Sequence, residues 1–330
     1  MLPKRVANLA SLEFTAHTLH ATILDVRNAV FRDILLVRYP PNIDHHIYAD
    51  TVRAHHPLLL RTLIDARVDA VAYSERPGIP AVLLEGKKIV RSVSAALRVP
   101  TLGVDHCVAH IESVRALNRV ETRFVGIHIA GGNTVIYEFV TGRGFGTYRE
   151  VWRIHPGVGW LLDEVAKALG DVPRIVGGVH VAHRLLSDTE PAPEAVRELF
   201  KHIAAGRVRL ALLVARKRGL RWLRSLIEAA YTVVARVALE ASTRIAASTA
   251  IVGGGVSLCP VLRSVLSKRF RNLIASPPEL ARDNAYMIAA TAMTRARRGH
   301  VLEPPPELVE ALTKLVKHGS SEHISAPATA

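Results

Sequence analysis

Glutamine is absent from this chain of 330 residues, and cysteine occurs only twice, as Cys107 and Cys259. Two cysteines cannot build a disulfide framework or a four-cysteine zinc site. The lack of the labile glutamine amide, together with abundant arginine, is typical of proteins from hot habitats. The composition therefore favours a thermophilic protein without a disulfide framework.

Long apolar runs are missing as well, and no stretch reaches the length that a membrane-spanning helix needs. The start, MLPKRVANLASLEF, lacks the layout of a signal peptide. With 49% hydrophobic and 22% charged residues, the composition is that of a globular protein rather than a disordered one. We expect a cytoplasmic protein that has no membrane partner.

Acidic residues are too few to balance the basic ones, which leaves a formal charge of +14 and a pI near 10.3. Such a surplus favours a polyanionic partner, with nucleic acid as the first candidate. A generally basic proteome or an effect on solubility is the alternative explanation.

Two parts of the chain each open with three predicted strands and then alternate helices with strands. This order predicts the α/β class, with two duplicated lobes around a cleft. We place the N-terminal lobe at residues 1–122 and the C-terminal lobe at 123–318, with the last helices able to pack back on the first lobe. The polar end, residues 319–330, is expected to be a flexible tail.

The stretch GVDHCVAHIES contains His106 and His110, four residues apart in an apolar run. On a helix these positions lie on one face, one turn apart, so both imidazoles can point at the same object. That object is either a metal ion or the interior of a domain. Imidazole suits zinc or iron, but two ligands alone hold a metal poorly. HCVAH also lacks the glutamate that a zincin protease uses as its base.

Three further segments have the residues of a binding site. In IAGGNT, Gly131 and Gly132 follow a predicted strand and allow close approach of a ligand, although an ordinary hairpin turn explains them too. In IVGGGVS, Gly254 and Gly255 form a turn between strand and helix that suits a nucleotide. In ARDNAYMIAATA, Asp283 is either a helix cap or a metal-bound carboxylate.

Together and in this order, these segments resemble the TsaD family of tRNA threonylcarbamoyladenosine synthases, especially its archaeal branch. The family's IEGTAHTFG is similar to LEFTAHTLH at 12–20, its GVNHCIAHIE to GVDHCVAHIE, and its YVSGGNT to HIAGGNT. Its VGNALDRVARLLG resembles VGWLLDEVAKALG at 158–170, its VGGVAANxRLR resembles GGGVSLCPVLR, and its CTDNAAMIA resembles ARDNAYMIA. The similarity runs from about residue 9 to 298.

The resemblance implies the two-lobed actin/sugar-kinase/chaperone fold around a nucleotide cleft. It also implies one divalent metal ion, with iron favoured and zinc possible, held by His106, His110 and Asp283. Archaeal members add a tyrosine ligand, and His128 stands at that position. Because histidine also binds iron or zinc, His128 is a candidate fourth ligand.

The resemblance further implies transfer of a threonylcarbamoyl group from its anhydride with AMP to the exocyclic amine of the adenosine beside the tRNA anticodon. The implied partners are tRNA, threonylcarbamoyl-AMP or ATP, and subunits of the KEOPS complex including its small kinase. Asp163 matches the carboxylate that accepts the ribose hydroxyls, although a solvated helix carboxylate explains it too. The implied nucleotide-binding residues are His128, Ile129, Ala130, Gly131, Gly132, Asp163, Gly178, Gly254, Gly255 and Cys259.

Three substitutions depart from the family pattern at the nucleotide pocket. Phe14 replaces a glycine of the first phosphate-facing turn, Cys259 replaces a nucleotide-contacting asparagine, and Ala182 replaces a pocket glutamate. These changes favour an alternative function, a non-catalytic paralogue that acts as a binding partner in the tRNA-modifying complex.

The family's SFSGLxT segment has no counterpart, and AGRVRLALLVARKRGLRWLRS stands in its place. Its basic side chains surround Trp222, so the segment predicts phosphate contacts with an indole available for stacking on a base. A solvated helix face with a core tryptophan is the alternative. The candidate tRNA-binding residues are Arg207, Arg209, Arg216, Lys217, Arg218 and Arg221.

Overall fold

The computed structural model describes residues 6–15, 18–38, 45–142, 145–170, 188–295 and 300–319. Gly178 and Ala182 lie outside these residues, as does the predicted tail beyond Gly319. The chain forms two compact units: a first unit of Met1–Glu121, Gly142–Gly146 and Arg282–Ala330, and a second unit of Thr122–Thr141 and Thr147–Ala281. The C-terminal segment belongs to the first unit. The division made from the sequence assigned residues 123–318 to the C-terminal lobe and allowed the last helices to pack back on the first lobe.

Each unit is built on a mixed sheet, so the predicted α/β class with two duplicated lobes is confirmed. The strands are β1 Asn8–Glu13, β2 Thr18–Asp25, β3 Val30–Arg38, β4 Ala70–Arg76, β5 Thr101–Asp105, β6 Phe124–Ile129, β7 Thr134–Gly142, β8 Phe145–Ile154, β9 Thr249–Gly253, β10 Asn272–Ala275 and β11 His300–Val301.

The helices alternate with these strands along the chain. They are α1 His45–Ala54, α2 His56–Asp65, α3 Pro80–Leu97, α4 His106–Leu117, α5 Val158–Ala168, α6 Pro193–Ala204, α7 Val208–Arg218, α8 Leu220–Ile245, α9 Pro260–Ser267, α10 Pro278–Ala281, α11 Ala285–Thr294 and α12 Pro306–His318.

The sheet of the first unit has the strand order β3-β2-β1-β4-β5. The first three strands form the antiparallel meander expected from the sequence, and β4 and β5 join in parallel. Side chains alternate across a strand, and Leu19 and Ala21 pack with α1, α2 and α3 in the core. His20, between them, points to the opposite face and contacts the start of α11.

Helix α11 is apolar on every side and buried along almost its whole length, as expected of a helix inside a domain. It packs on α4 and on β1. The apolar sequence AYMIAATAMT therefore places the residues just before it, Arg282–Asn284, at the junction of the sheet and α4.

In the second unit, β10, β9, β6, β7 and β8 lie side by side in this order. β6 pairs in parallel with β9 and antiparallel with β7. The long helix α8 packs with α6 and α7, and its apolar residues join the buried core of this unit. None of the described helices is both long and apolar enough to cross a membrane.

Candidate metal centre and glycine turns

Helix α4 begins without a connecting loop, because His106 follows directly on Asp105, the last residue of β5. The Asp105 carboxylate caps the helix by accepting from the backbone N of Val108 at 3.1 Å. His110 lies one turn after His106, and the centroids of the two rings are 4.8 Å apart. Both side chains are buried, and His110 is completely so. The predicted common face of the two histidines is therefore present.

Asp283 meets the two histidines inside the first unit. Its Oδ1 lies 3.2 Å from Nε2 of His110 and 3.5 Å from Nε2 of His106. One ligand atom from each of the three residues lies within 4.8 Å of the others. The cap of α11 is Asn284, which accepts from the backbone N of Met287 at 2.9 Å. The interpretation of Asp283 as the helix cap is therefore wrong, and its carboxylate faces the imidazoles.

Glu13 forms a hydrogen bond with Nδ1 of His106. The fully buried carboxylate accepts from Nδ1 of His106 at 3.2 Å, and it also accepts from the backbone N of Thr15 at 2.8 Å and from the Thr15 hydroxyl. Because Nδ1 faces Glu13, the other ring nitrogen, Nε2, faces Asp283. Sequence reasoning missed Glu13 and Thr15, although an acidic residue that ends the apolar strand NLASLE was a signal for them.

The charge around His106 is negative. Burial lowers the pKa of its imidazole, but the carboxylates of Glu13 and Asp283 outweigh burial and raise that pKa to about 9. These two carboxylates therefore favour the protonated, cationic form of the ring. The cluster is a site that favours positive charge in a buried place.

The glycine turns of the second unit meet at one edge of its sheet. β6 and β9 are parallel, with His128 opposite Gly253, so their carboxyl ends lie side by side. Gly254 has a φ of +90°, and a Cβ there would lie 2.6 Å from the carbonyl oxygen of Ile129. Gly255 is exposed, with nothing within 4 Å of a Cβ. Only glycine fits the first position, and the second leaves its backbone open.

The start of α5 packs on the turn between β6 and β7. A Cβ at Gly159 would lie 2.7 Å from the backbone N of Gly131, and Gly157 N donates to the Gly131 carbonyl at 2.8 Å. The turn connects the antiparallel strands β6 and β7, as the hairpin interpretation holds, and its backbone also supports the start of α5. Gly132 is exposed, with nothing within 4 Å of a Cβ, and Asp163 lies half-buried on α5.

His128, Ile129 and Ala130 run along the end of β6 into this turn. His128 is 1% exposed, Ile129 is completely buried and Ala130 is half-buried. His128 belongs to the second unit, whereas the other three candidate ligands belong to the first. Its role as a fourth ligand stays a prediction.

Two of the departures from the family pattern lie in the cores of their units. The Phe14 ring is completely buried, and a Cβ at Gly86 would lie 2.3 Å from its Cε2. The family pattern places Phe14 at a phosphate-facing turn, but its ring packs into the core of the first unit, where the bare backbone of α3 at Gly86 makes room for it. Cys259 is 1% exposed, and its Sγ lies 3.4 Å from the hydroxyl of Tyr231.

The basic segment AGRVRLALLVARKRGLRWLRS forms α7 and the start of α8. Arg218 lies over the Trp222 ring, 5.1 Å from its centroid, and Arg209 lies 5.7 Å from the centroid of Trp160. Trp222 is half-buried and packs against the core of the second unit. We name as the basic cluster the six candidate residues, all of them exposed: Arg207, Arg209, Arg216, Lys217, Arg218 and Arg221.

The first unit thus defines a class: an α/β protein in which two buried histidines, on a helix that follows a sheet strand directly, meet an aspartate from a distant part of the chain. The sequence model of the TsaD family, described as tRNA N6-adenosine threonylcarbamoyltransferase, matches residues 62–290. The chain belongs to this family, and the resemblance seen in its motifs is confirmed.

Relatives with that same description come from archaea. The protein of Ignicoccus hospitalis is 30% identical over 324 residues, which cover 92% of this chain and 96% of that protein. The protein of Pyrobaculum calidifontis is 31% identical over 298 residues, with 84% of this chain and 85% of that protein covered.

Similar solved structures include a ROK hexokinase from Thermus thermophilus, at 15% identity and a TM-score of 0.47, covering 86% of this chain and 96% of that chain. The ethanolamine utilization protein EutJ from Carboxydothermus hydrogenoformans is 14% identical with a TM-score of 0.47, covering 88% of this chain and 90% of that chain.

Proposed function

We propose that this protein modifies tRNA by transferring a threonylcarbamoyl group from its anhydride with AMP to the exocyclic amine of the adenosine beside the anticodon. Membership of the TsaD family supports the reaction class. The observation that supports it most is the convergence of His106, His110 and Asp283 in the interior of the first unit. Subunits of the KEOPS type, including a small kinase, are the proposed protein partners.

The chemistry of these three side chains fits one divalent ion. Two imidazoles and one carboxylate are a donor set that both iron and zinc accept, and iron is our first choice. The carboxylate of Glu13 adds what metal-binding histidines commonly have, a partner for the second ring nitrogen. The negative surroundings that keep a proton on His106 also favour a metal cation in its place.

In the proposed reaction the adenosine amine attacks the carbonyl carbon of the threonylcarbamoyl group and AMP leaves. An ion held by the three side chains would supply a Lewis acid for the acyl carbonyl. Glu13 holds the Nδ1 proton of His106 away from the reacting atoms, which turns Nε2 of the same ring towards Asp283. Burial of His110 excludes water from that side of the cluster.

We place the AMP part on the glycine turns of the second unit. The exposed backbone at Gly132 and Gly255 is open to a phosphate, since no atom lies within 4 Å of a Cβ at either position. Asp163 is the proposed partner of the ribose hydroxyls, and the basic cluster is the proposed contact for tRNA phosphates.

The decisive experiment is a single-turnover assay with purified protein, unmodified tRNA and threonylcarbamoyl-AMP, followed by digestion and mass spectrometry of the nucleosides. We expect the threonylcarbamoyl adenosine mass to appear only when tRNA, donor and metal-loaded protein are all present. A tRNA transcript with another base at the modified position is the control. No product from metal-loaded protein, with or without partner subunits, would contradict the proposal.

The second candidate is a non-catalytic paralogue that acts as a binding partner in the same complex. The buried Cys259 favours it, because its thiol contacts Tyr231 and does not offer the amide that the family pattern has there. Binding of tRNA without any nucleotide binding in calorimetry, and without product in the assay above, would select this candidate.

A further inference from the structure

A second buried polar cluster lies under the start of α11. His20 of β2 accepts from the backbone N of Ala285 through Nδ1 at 3.0 Å. Its Nε2 lies 3.1 Å from Oδ1 of Asp33, and the Tyr286 hydroxyl donates to Oδ2 of the same carboxylate at 2.6 Å. His20 is 1% exposed and Asp33 is 2% exposed. These residues belong to neither the metal cluster nor the glycine turns.

The hydrogen bonds fix the tautomer of His20. Because Nδ1 accepts a hydrogen bond from an amide, the ring proton is on Nε2. This N–H donates a hydrogen bond to the Asp33 carboxylate. Tyr286 packs edge-on against the His20 ring, with centroids 4.8 Å apart. The imidazole is therefore held on both nitrogens and on one edge, so it is a rigid contact for the amide that it receives.

This amide belongs to the first residue of α11, and Asp283 lies two residues before it in the loop that leads into the helix. Asn284 fixes this loop to its own helix by capping α11, whereas His20 fixes it to the sheet. In the register of β1 and β2, His20 pairs with Glu13, so both side chains lie on the same face of the sheet. Glu13 orients His106, and its neighbour on the next strand restrains the loop of Asp283.

We propose that His20, supported by Asp33 and Tyr286, is a positioning residue that sets the distance of the Asp283 carboxylate from the two histidines. This inference rests on the proposed metal-binding function. The motif IEGTAHTFG has glycine where this chain has His20, and CTDNAAMIA has alanine where it has Tyr286. Glycine and alanine lack the side-chain atoms that make these contacts.

Three variants and two measurements test the proposal in the full-length protein. His20→Leu removes both hydrogen bonds, His20→Asn keeps an acceptor near the place of Nδ1, and Val93→Ala is a core truncation on α3 of the same unit. The first measurement is titration with Co²⁺ by absorption spectroscopy. The second is amide hydrogen exchange of the peptide that covers residues 282–288.

We expect His20→Leu to weaken Co²⁺ affinity by about 10- to 100-fold, the range for lost partners of metal ligands. Its 282–288 peptide should exchange faster. We expect His20→Asn to stay within about threefold of the wild type, because its amide still accepts from Ala285. Val93→Ala should lower the melting temperature and leave the affinity unchanged. If His20→Leu does not fold, Tyr286→Phe removes only one donor and should show a smaller loss in the same direction.

Wild-type Co²⁺ affinity in folded His20→Leu would overturn the positioning role while leaving the metal site intact. An equal loss of affinity in Val93→Ala would overturn it too, because the effect would then follow stability alone. If the wild type binds no Co²⁺, the proposed metal function fails instead. Hydrogen exchange then decides, since unchanged protection of residues 282–288 in His20→Leu would refute any restraint by His20.

Discussion

The candidate centre of the first unit and the glycine turns of the second differ in what they are made of. In the first, side chains converge: His106, His110 and Asp283 meet, and Glu13 orients one of them. In the second, backbone approaches backbone, as Gly254 does against Ile129. A site made of side chains is lost by deleting atoms, whereas a site made of backbone is lost by adding them. The two sites therefore call for opposite mutations.

Removing both imidazoles should have the largest effect. We expect His106→Ala/His110→Ala protein to lose metal binding, because two of the three ligands that meet in the first unit are removed. Elemental analysis after metal-free purification and reconstitution measures this. The matched control is His202→Ala/His318→Ala, which removes two histidines outside the cluster. Equal metal content in the wild type and the first double variant would contradict the assignment.

The second-largest effect is expected from adding one methyl group at a glycine turn. Gly254→Ala meets both a φ of +90° and a backbone oxygen 2.6 Å away, so we expect a loss of about 2–4 kcal/mol in the free energy of unfolding. Gly255→Ala is the matched control, because nothing lies within 4 Å of its Cβ. Denaturant titration of both variants measures the difference, and equal stability would mean that the turn is not packed as described.

The two units also differ in the partners of their buried carboxylates. Glu138 of the second unit faces arginines, whereas Glu13 of the first faces a histidine. Arg149 and Arg244 donate to the buried Glu138 at 2.8 Å and 2.7 Å. Although burial raises the pKa of Glu138, these contacts outweigh it, and the pKa lies below its ordinary value of 4.5. Stability from the pair is therefore complete above about pH 4.5 and is lost as the pH falls through the lower, folded pKa.

Accordingly, we expect Glu138→Gln to lower the free energy of unfolding by about 1–2 kcal/mol at pH 7. The value is modest because both arginines are partly exposed to water. The difference in stability between the variant and the wild type should shrink as the pH falls below 4.5. Thermal unfolding across pH 3 to 7 measures it. A gap that does not change with pH would mean that ionised Glu138 is not stabilised by its arginines.

The smallest effect on the fold is expected from the basic cluster. Replacing Arg216, Lys217 and Arg218 with alanine should leave stability unchanged, since all three are exposed. If each contacts a phosphate, the slope of log affinity for tRNA against log salt should fall by about three units. A control triple variant changes the exposed Arg27, Arg61 and Arg91 of the first unit. Equal slopes in all proteins would make the cluster a solvated surface only.

The local sequence pattern predicts some of the contacts in the candidate centre but not the others. The spacing of His106 and His110 predicts their common face, because helix geometry alone determines it. Asp283 was ambiguous, since Asp and Asn stand side by side before an apolar helix and either can cap it. The core position of the Phe14 ring has no local signal, because its partner, Gly86, lies on another element. Contacts between distant elements, such as Glu13 with His106 or His20 with Ala285, leave no periodic signal in the sequence.

The candidate centre also depends on the order in which the chain is made. Asp283 follows His110 by 173 residues, and the whole second unit lies between them. At about 5–20 residues per second, a ribosome needs roughly 10 to 35 s to deliver the carboxylate after the histidines. During that interval the chain has both histidines of α4 but not yet the carboxylate of Asp283. If the cluster binds an ion, all three ligands are therefore available only in chains whose synthesis has passed the whole second unit and reached Asp283.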